Sequence, residues 1–176
     1  EIDETAPGLN NLLLSFRRPP KSIAALESRL SQAWRDVTPM PLAGRIIDLP
    51  VTYGGDDGPH MADVVAHTGL AIEAIVEIHT APVYPVFALG SHPGYCYLGG
   101  MDGRIAAPRR KVPVLSIPGG SVSIGGARTG VSASRGPSGW STIGRTDMTF
   151  FNVSAAPPAL LRPGDSIRFR IAKVIR

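Results

Sequence analysis

The chain has 176 residues, enough to bury one substantial core, with 43% hydrophobic and 18% charged residues and a formal net charge of +4. Its 20 glycines and 17 prolines point to a fold dense in turns and short strands. A single cysteine, Cys96, excludes an intrachain disulfide, and 6% aromatic content with one tight basic cluster (Arg109, Arg110, Lys111) argues against a nucleic-acid partner. No run approaches the roughly 20 apolar residues of a membrane span. The expectation is therefore a cytoplasmic protein with neither nucleic-acid nor membrane partners.

In chain order, the turn residues Pro7, Gly8 and Asn10 precede a short apolar strand of Leu12, Leu13, Leu14 and Phe16. A helix follows from the N-cap Ser22, with Ile23, Leu26, Leu30 and Trp34 on one face and Pro39 as its stop. One strand and one helix cannot bury both apolar faces, and the sequence begins without Met. The expectation is that part of a small N-terminal α/β unit is missing.

After Pro39, Pro41 and Gly44 the pattern changes. Residues 45–53 read as a strand and Gly54, Gly55, Asp56, Asp57 and Gly58 as a turn. A short helix carrying His67 is bracketed by Pro59 at its first position and Gly69 past its end. A second helix over 72–80 presents Ile72, Ile75, Val76 and His79 on one face, and the two helices are expected to plug or flank a barrel. Strands are then predicted over 83–89, 112–117, 121–124, 127–131, 141–143, 148–151 and 166–172, with turns at 118–120, 137–139 and 163–165. In the last strand Ile167, Phe169 and Ile171 alternate with Ser166, Arg168 and Arg170, the period of a half-buried wall. The regular short spacing predicts a closed or nearly closed barrel.

The functional centre is expected between Gly90 and Thr146. Its glycines open no helix and precede no Lys-Ser/Thr pair, so they read as tight turns rather than a phosphate loop. His60, His67, His79 and His92 lack the spacing and the acidic or thiol company of a metal site. His67 and His79, borne on helices, are catalytic candidates for orienting a substrate or moving a proton, with structural histidines as the plainer reading. Cys96 reads as a small buried hydrophobe. Tyr95 and Tyr97 alternate to one side of an extended segment, giving two hydroxyls on one face or two rings for the core. Among the basic residues, Arg109 is suited to grip a carboxylate with two hydrogen bonds. Arg128, Thr129, Trp140 and Arg145 lie in glycine-flanked segments that let a ligand approach closely.

The order Gly90-Ser-His-Pro-Gly-Tyr-Cys-Tyr-Leu-Gly-Gly-Met-Asp102, Pro108-Arg-Arg110, Pro118-Gly-Gly-Ser-Val-Ser-Ile-Gly125, Thr129-Gly130, Gly139-Trp140, Ile143-Gly-Arg-Thr146 and Leu161-Arg-Pro-Gly-Asp165 resembles the B-subunit family of bacterial 5-oxoprolinase. That family is also labelled allophanate hydrolase subunit 1, or KipI-like after a sporulation-kinase inhibitor. Pro7-Gly-Leu-Asn-Asn11, Pro50-Val-Thr-Tyr-Gly-Gly55 and His67-Thr-Gly-Leu70 fit it as well. The resemblance implies a mainly β protein with α: a cyclophilin-like β-barrel domain over 43–176, preceded by a truncated small α/β domain over 1–42. It also implies two partners, a homologous C subunit in a heteromer and a separate A subunit, with which the assembly opens the lactam of 5-oxoproline to L-glutamate. No cofactor is assigned to this chain, ATP is implied for the complex, and the chain is expected to be inactive alone. The competing implications are a urea-amidolyase-type carboxyltransferase subunit using carboxybiotin, and a binding module that inhibits a histidine kinase.

The expected substrate-binding set is Tyr95, Tyr97, Arg109, Arg128, Thr129, Trp140 and Arg145. Where the family shows Gln-Thr-Gly-x-Tyr-Pro, this chain has Arg128-Thr-Gly-Val-Ser-Ala133, and for Pro-Gly-Gly-Trp it has Pro137-Ser-Gly-Trp140. The first exchange removes an amide and a phenol and adds a cation, a change of ligand chemistry rather than of fold. His92 occupies a variable place in the motif and is left out of the expected site.

Overall fold

The computed structural model describes residues 2–8, 10–38 and 44–176. Contacts divide the chain into two compact units, Glu1–Ala43 and Gly44–Arg176.

In the first unit, strand β1 (Ile2–Pro7) pairs antiparallel with β2 (Leu12–Phe16), and helix α1 (Ile23–Asp36) follows. Ser22 caps the helix by accepting a 3.2 Å hydrogen bond from the Ala25 amide. β1 was not expected, because Asp3, Glu4 and Pro7 interrupt any apolar alternation; backbone pairing such as Thr5 with Leu14 holds it instead. The predicted stop at Pro39 lies outside the described residues. No residue of α1 is buried, and Trp34 on its apolar face is 81% exposed.

The second unit holds β3 (Ile46–Gly54), α2 (Met61–Thr68), α3 (Ile72–Thr80), β4 (Tyr84–Leu89), β5 (Cys96–Leu98), β6 (Val114–Ile117), β7 (Ser121–Ile124), β8 (Thr129–Val131), β9 (Gly136–Ser138), β10 (Ser141–Arg145) and β11 (Ser166–Ile175). Seven strands close a barrel in the order β10-β3-β11-β4-β5-β8-β7, with β7 pairing back to β10. Among the described barrel pairs only β3 and β11 run parallel; the others are antiparallel. Leu49, Val51, Val86, Leu98, Val122, Ile124, Val131, Ile143, Ile167 and Phe169 form the core, and Met61 and Val64 of α2 join it with Ile75 and Val76 of α3. α2 packs on β10 and α3 on β11. Gly69 ends α2 with a φ of 71°, the left-handed conformation that glycine adopts without strain.

Several expectations are corrected. Residues 148–151 form no strand; Phe151 makes only an isolated bridge to Ala159. The strand expected over 112–117 is no barrel wall, because β6 pairs with β9 in a separate ribbon that overlaps the predicted 137–139 turn. Pro59 does not open α2, which His60 caps and Met61 begins. The inward alternation of β11 stops at Phe169: the register shifts between Ile171 and Lys173, and Ile171 is 53% exposed.

Candidate functional site

The residues 90–97 build one wall of a pocket. Gly90 N–H donates to the Tyr95 carbonyl (3.1 Å), His92 N–H to the Gly90 carbonyl (2.8 Å) and Tyr95 N–H to the His92 carbonyl (3.1 Å), a turn tight enough to hold Ser91 at a φ of 66°. It delivers the His92 ring to 5.2 Å from Tyr95, while Tyr95 and Tyr97 meet edge to face, also at 5.2 Å. Both tyrosine rings line the pocket.

Trp140, just ahead of β10, supplies the facing wall, with the Arg109 guanidinium 6.0 Å from its ring centre. Two glycines make this arrangement possible. A side chain at Gly125 would overlap the Trp140 indole, and a Cβ at Gly130 would lie 2.7 Å from the Tyr95 hydroxyl and 3.4 Å from the Trp140 ring. The resulting cavity of about 140 Å³ is also lined by Ser91, Ser123, Ser132 and Ser138.

Burial raises the Tyr95 hydroxyl well above its ordinary value, so it remains a proton donor at neutral pH. Burial lowers His92, whose Nε2 is enclosed yet has no hydrogen-bond partner. Cys96 is wholly buried with its thiol pushed up to about 12, which removes it as a nucleophile. The pocket therefore offers a guanidinium, aromatic faces and neutral hydroxyl donors, a set suited to gripping a small anionic amide.

The remaining predicted residues are placed elsewhere. His79 does not border a cleft: it is completely buried, with the Tyr53 hydroxyl 2.8 Å from Nδ1 and the Thr129 hydroxyl 2.8 Å from Nε2. Thr129 donates onward to the Ser123 carbonyl at 3.2 Å, so its oxygen accepts from His79 Nε2–H and Nδ1 accepts from Tyr53. Loss of solvent lowers His79 to about 3. His79 and Thr129 thus tie α3 to β3 and β8 and do not reach the pocket. His67 is exposed in the last turn of α2 and lines a second pocket, which shares Arg109 with the first. Arg145 pairs with Asp57 at 2.7 Å and lines neither pocket, nor does the exposed Arg128. In the divergent 128–133 loop it is Gly130 and Ser132 that reach the pocket wall. His92, set aside on sequence grounds, lines it too; the Ser91–His92 turn ahead of Pro93-Gly94 was the available signal.

Residues 1–161 match the family model described as carboxyltransferase domain, subdomain C and D. The chain belongs to this carboxyltransferase-domain family. It is 42% identical over 168 residues to the 5-oxoprolinase B subunit of Escherichia coli O157:H7, covering 96% of this chain and 77% of the relative. The 5-oxoprolinase B subunit of Haemophilus influenzae is 37% identical over 169 residues, covering 96% and 79%. Among solved structures, a conserved uncharacterized protein from Pyrococcus horikoshii superposes with a TM-score of 0.71 at 38% identity, covering 98% of this chain and 79% of that one. The urea amidolyase of K. lactis shares the fold, with a TM-score of 0.69 at 19% identity over 98% of this chain and 12% of that one.

Among the described residues no group of three or more His, Cys, Asp or Glu side chains is arranged to hold a metal ion. No described helix is long and apolar enough to cross a membrane.

Proposed function

We propose that this chain is the B subunit of an ATP-dependent 5-oxoprolinase-type assembly, hydrolysing 5-oxoproline to L-glutamate with its C and A partners. The convergence of Arg109, Trp140, Tyr95 and Tyr97 on one small concavity carries this reading. At about 140 Å³ the cavity falls below the roughly 300 Å³ of drug-sized sites and suits a small lactam or amide. The guanidinium fixes the substrate carboxylate by paired hydrogen bonds, with the Trp140 ring 6.0 Å away as its aromatic neighbour. Water adds to the lactam carbonyl carbon, one of its protons passes to the ring nitrogen, and the C–N bond breaks to leave an amine and a carboxylate. The negative charge that builds on the carbonyl oxygen during this addition is stabilised by the tyrosine hydroxyls donating to it. Tyr95 fits that task because burial keeps its proton in place. Ser132, standing where the family pattern has a phenol, is the position through which this chain's substrate range differs from that of its relatives. ATP is bound by another member of the assembly, and this chain is inactive alone in the cytoplasm.

The test is reconstitution with the C and A partners of a related 5-oxoprolinase. Glutamate release from 5-oxoproline is expected only when all three proteins and ATP are present. Arg109→Gln should lower kcat/KM by about 100-fold or more, the loss that follows removal of a preorganised charged contact. If the complete mixture binds together but releases no glutamate, the substrate assignment is wrong.

A further inference from the structure

The second pocket, of about 350 Å³, differs in character from the first. Helix α2 contributes Asp63 and His67, spaced i,i+4 and so on one face, and the segment after β5 contributes Arg109, Arg110 and Lys111; Ser141 of β10 adds a hydroxyl-bearing wall.

The basic run is not a loosely solvated turn. Ala107 exchanges backbone hydrogen bonds of 3.2 and 2.7 Å with Gly126, and Arg110 N–H donates to the Gly139 carbonyl at 2.8 Å, so the backbone is fastened on both sides of Arg109. The charges on this fastened segment border a concavity. Arg110 pairs with Asp63, but only through one terminal nitrogen; its Nε has no acceptor, and the side chain remains 28% exposed. Asp63 neutralises one cation of three, while Arg109 and Lys111 are exposed and have no ion-pair partner among the described residues. The positive field reaches His60, which is lowered first by burial and then by Arg110. Three like charges with a single carboxylate among them repel one another, and a cavity lined with this net positive charge concentrates that potential on whatever enters it. An oxyanion relieves the repulsion and takes up the unpaired donors of the exposed Arg109 and Lys111.

We infer that this pocket is an oxyanion subsite for a phosphate-type group, gripped by Lys111 and Arg109, with Arg110 and His67 also in its lining. The combination of two forked guanidinium groups with one mobile ammonium offers more donors than a single carboxylate can use, and phosphate oxygens accept them all. Arg109 borders both pockets, so an anion here adjoins the aromatic site. The inference does not depend on the identity of the substrate in the aromatic pocket.

The experiment is calorimetric titration of the full chain with inorganic phosphate, pyrophosphate and acetate at low ionic strength. Pyrophosphate should bind saturably at one site per chain and about tenfold or more tighter than acetate. Lys111→Glu and Arg109→Gln should each weaken it by about ten- to hundredfold, the worth of one charge-assisted hydrogen bond. Arg135→Gln, which removes the same charge from an exposed residue outside the pocket, should leave it unchanged. Matching thermal melts establish that the variants are folded, since all three positions are exposed. Non-saturating binding to the parent chain, equal affinity for acetate, or unchanged affinity in both Lys111→Glu and Arg109→Gln would each overturn the inference.

Discussion

Inside the barrel, His79 has both ring nitrogens occupied, by Tyr53 and Thr129, and no exposure at all; at the mouth of the pocket, His92 leans on Tyr95 with its Nε2 unpartnered. The two regions use the same chemistry, an imidazole beside tyrosines and hydroxyls. They differ in whether the protein satisfies its own polar groups. Buried donors and acceptors are almost always paired, so the closed His79 chain reads as architecture, whereas His92, which lines the pocket with its enclosed Nε2 unpaired, is a polar group the fold leaves unsatisfied.

The sharpest way to break this contrast is His79→Ala. It leaves a cavity against Phe169 and strands the Tyr53 hydroxyl, and each effect separately costs about 1 to 3 kcal/mol. Urea unfolding should show a loss of about 3 kcal/mol or more, the sum of a cavity and an orphaned hydroxyl. A smaller loss would mean that the interior network is not the structural tie described.

Acidification tests the same point. His79 is lowered from 6.5 to about 3 by burial, so between those values the unfolded chain binds the proton and the folded protein does not. Stability is complete above pH 6.5 and falls as the pH is reduced through that window. His60 and His92, also lowered, act in the same direction. Denaturant midpoints taken from about pH 7 to about pH 4.5 should fall steadily in the parent protein and less steeply in His79→Gln.

Gly130→Ala shifts the burden to the pocket. The added methyl meets the far end of the Tyr95 side chain, which can move, so the fold should lose only about 1 kcal/mol. Displacing that hydroxyl should nonetheless raise KM for the lactam in the reconstituted assembly by about tenfold. His92→Phe should change stability by less than about 0.5 kcal/mol, because it removes an enclosed nitrogen that has no partner. Equal destabilisation by His79→Ala and His92→Phe would erase the distinction between the two regions.

Much of the barrel was legible because its strands are short, apolar and punctuated by glycine and proline. Ser121–Ile124 and helix Ile72–Thr80 fall where periodicity placed them. β9 was hidden, since it has only three residues and contains Pro137, and β5 showed only as the extended segment carrying Tyr97. The Tyr95 and Tyr97 pair was readable from alternation, and Arg109 and Trp140 from their glycine- and proline-rich settings. The histidines were not: a helical face tells that His79 points inward with Ile75 and Val76, but not that Tyr53, 26 residues earlier, has already claimed its nitrogen. The ion pair of Arg145, which lies outside both pocket linings, was hidden for a related reason, because its partner Asp57 lies 88 residues away in sequence. Pairing between distant segments decides which polar groups are spent on the fold and which remain for a ligand.

The most direct measurement is a crystal structure of the chain within its heteromeric assembly, soaked with 5-oxoproline. Density for the lactam is predicted between Tyr95, Tyr97 and Trp140, with its carboxylate against Arg109 and the His79–Tyr53–Thr129 chain unaltered. Lactam bound elsewhere in the assembly with this pocket empty, or bound in contact with His79, would contradict the account.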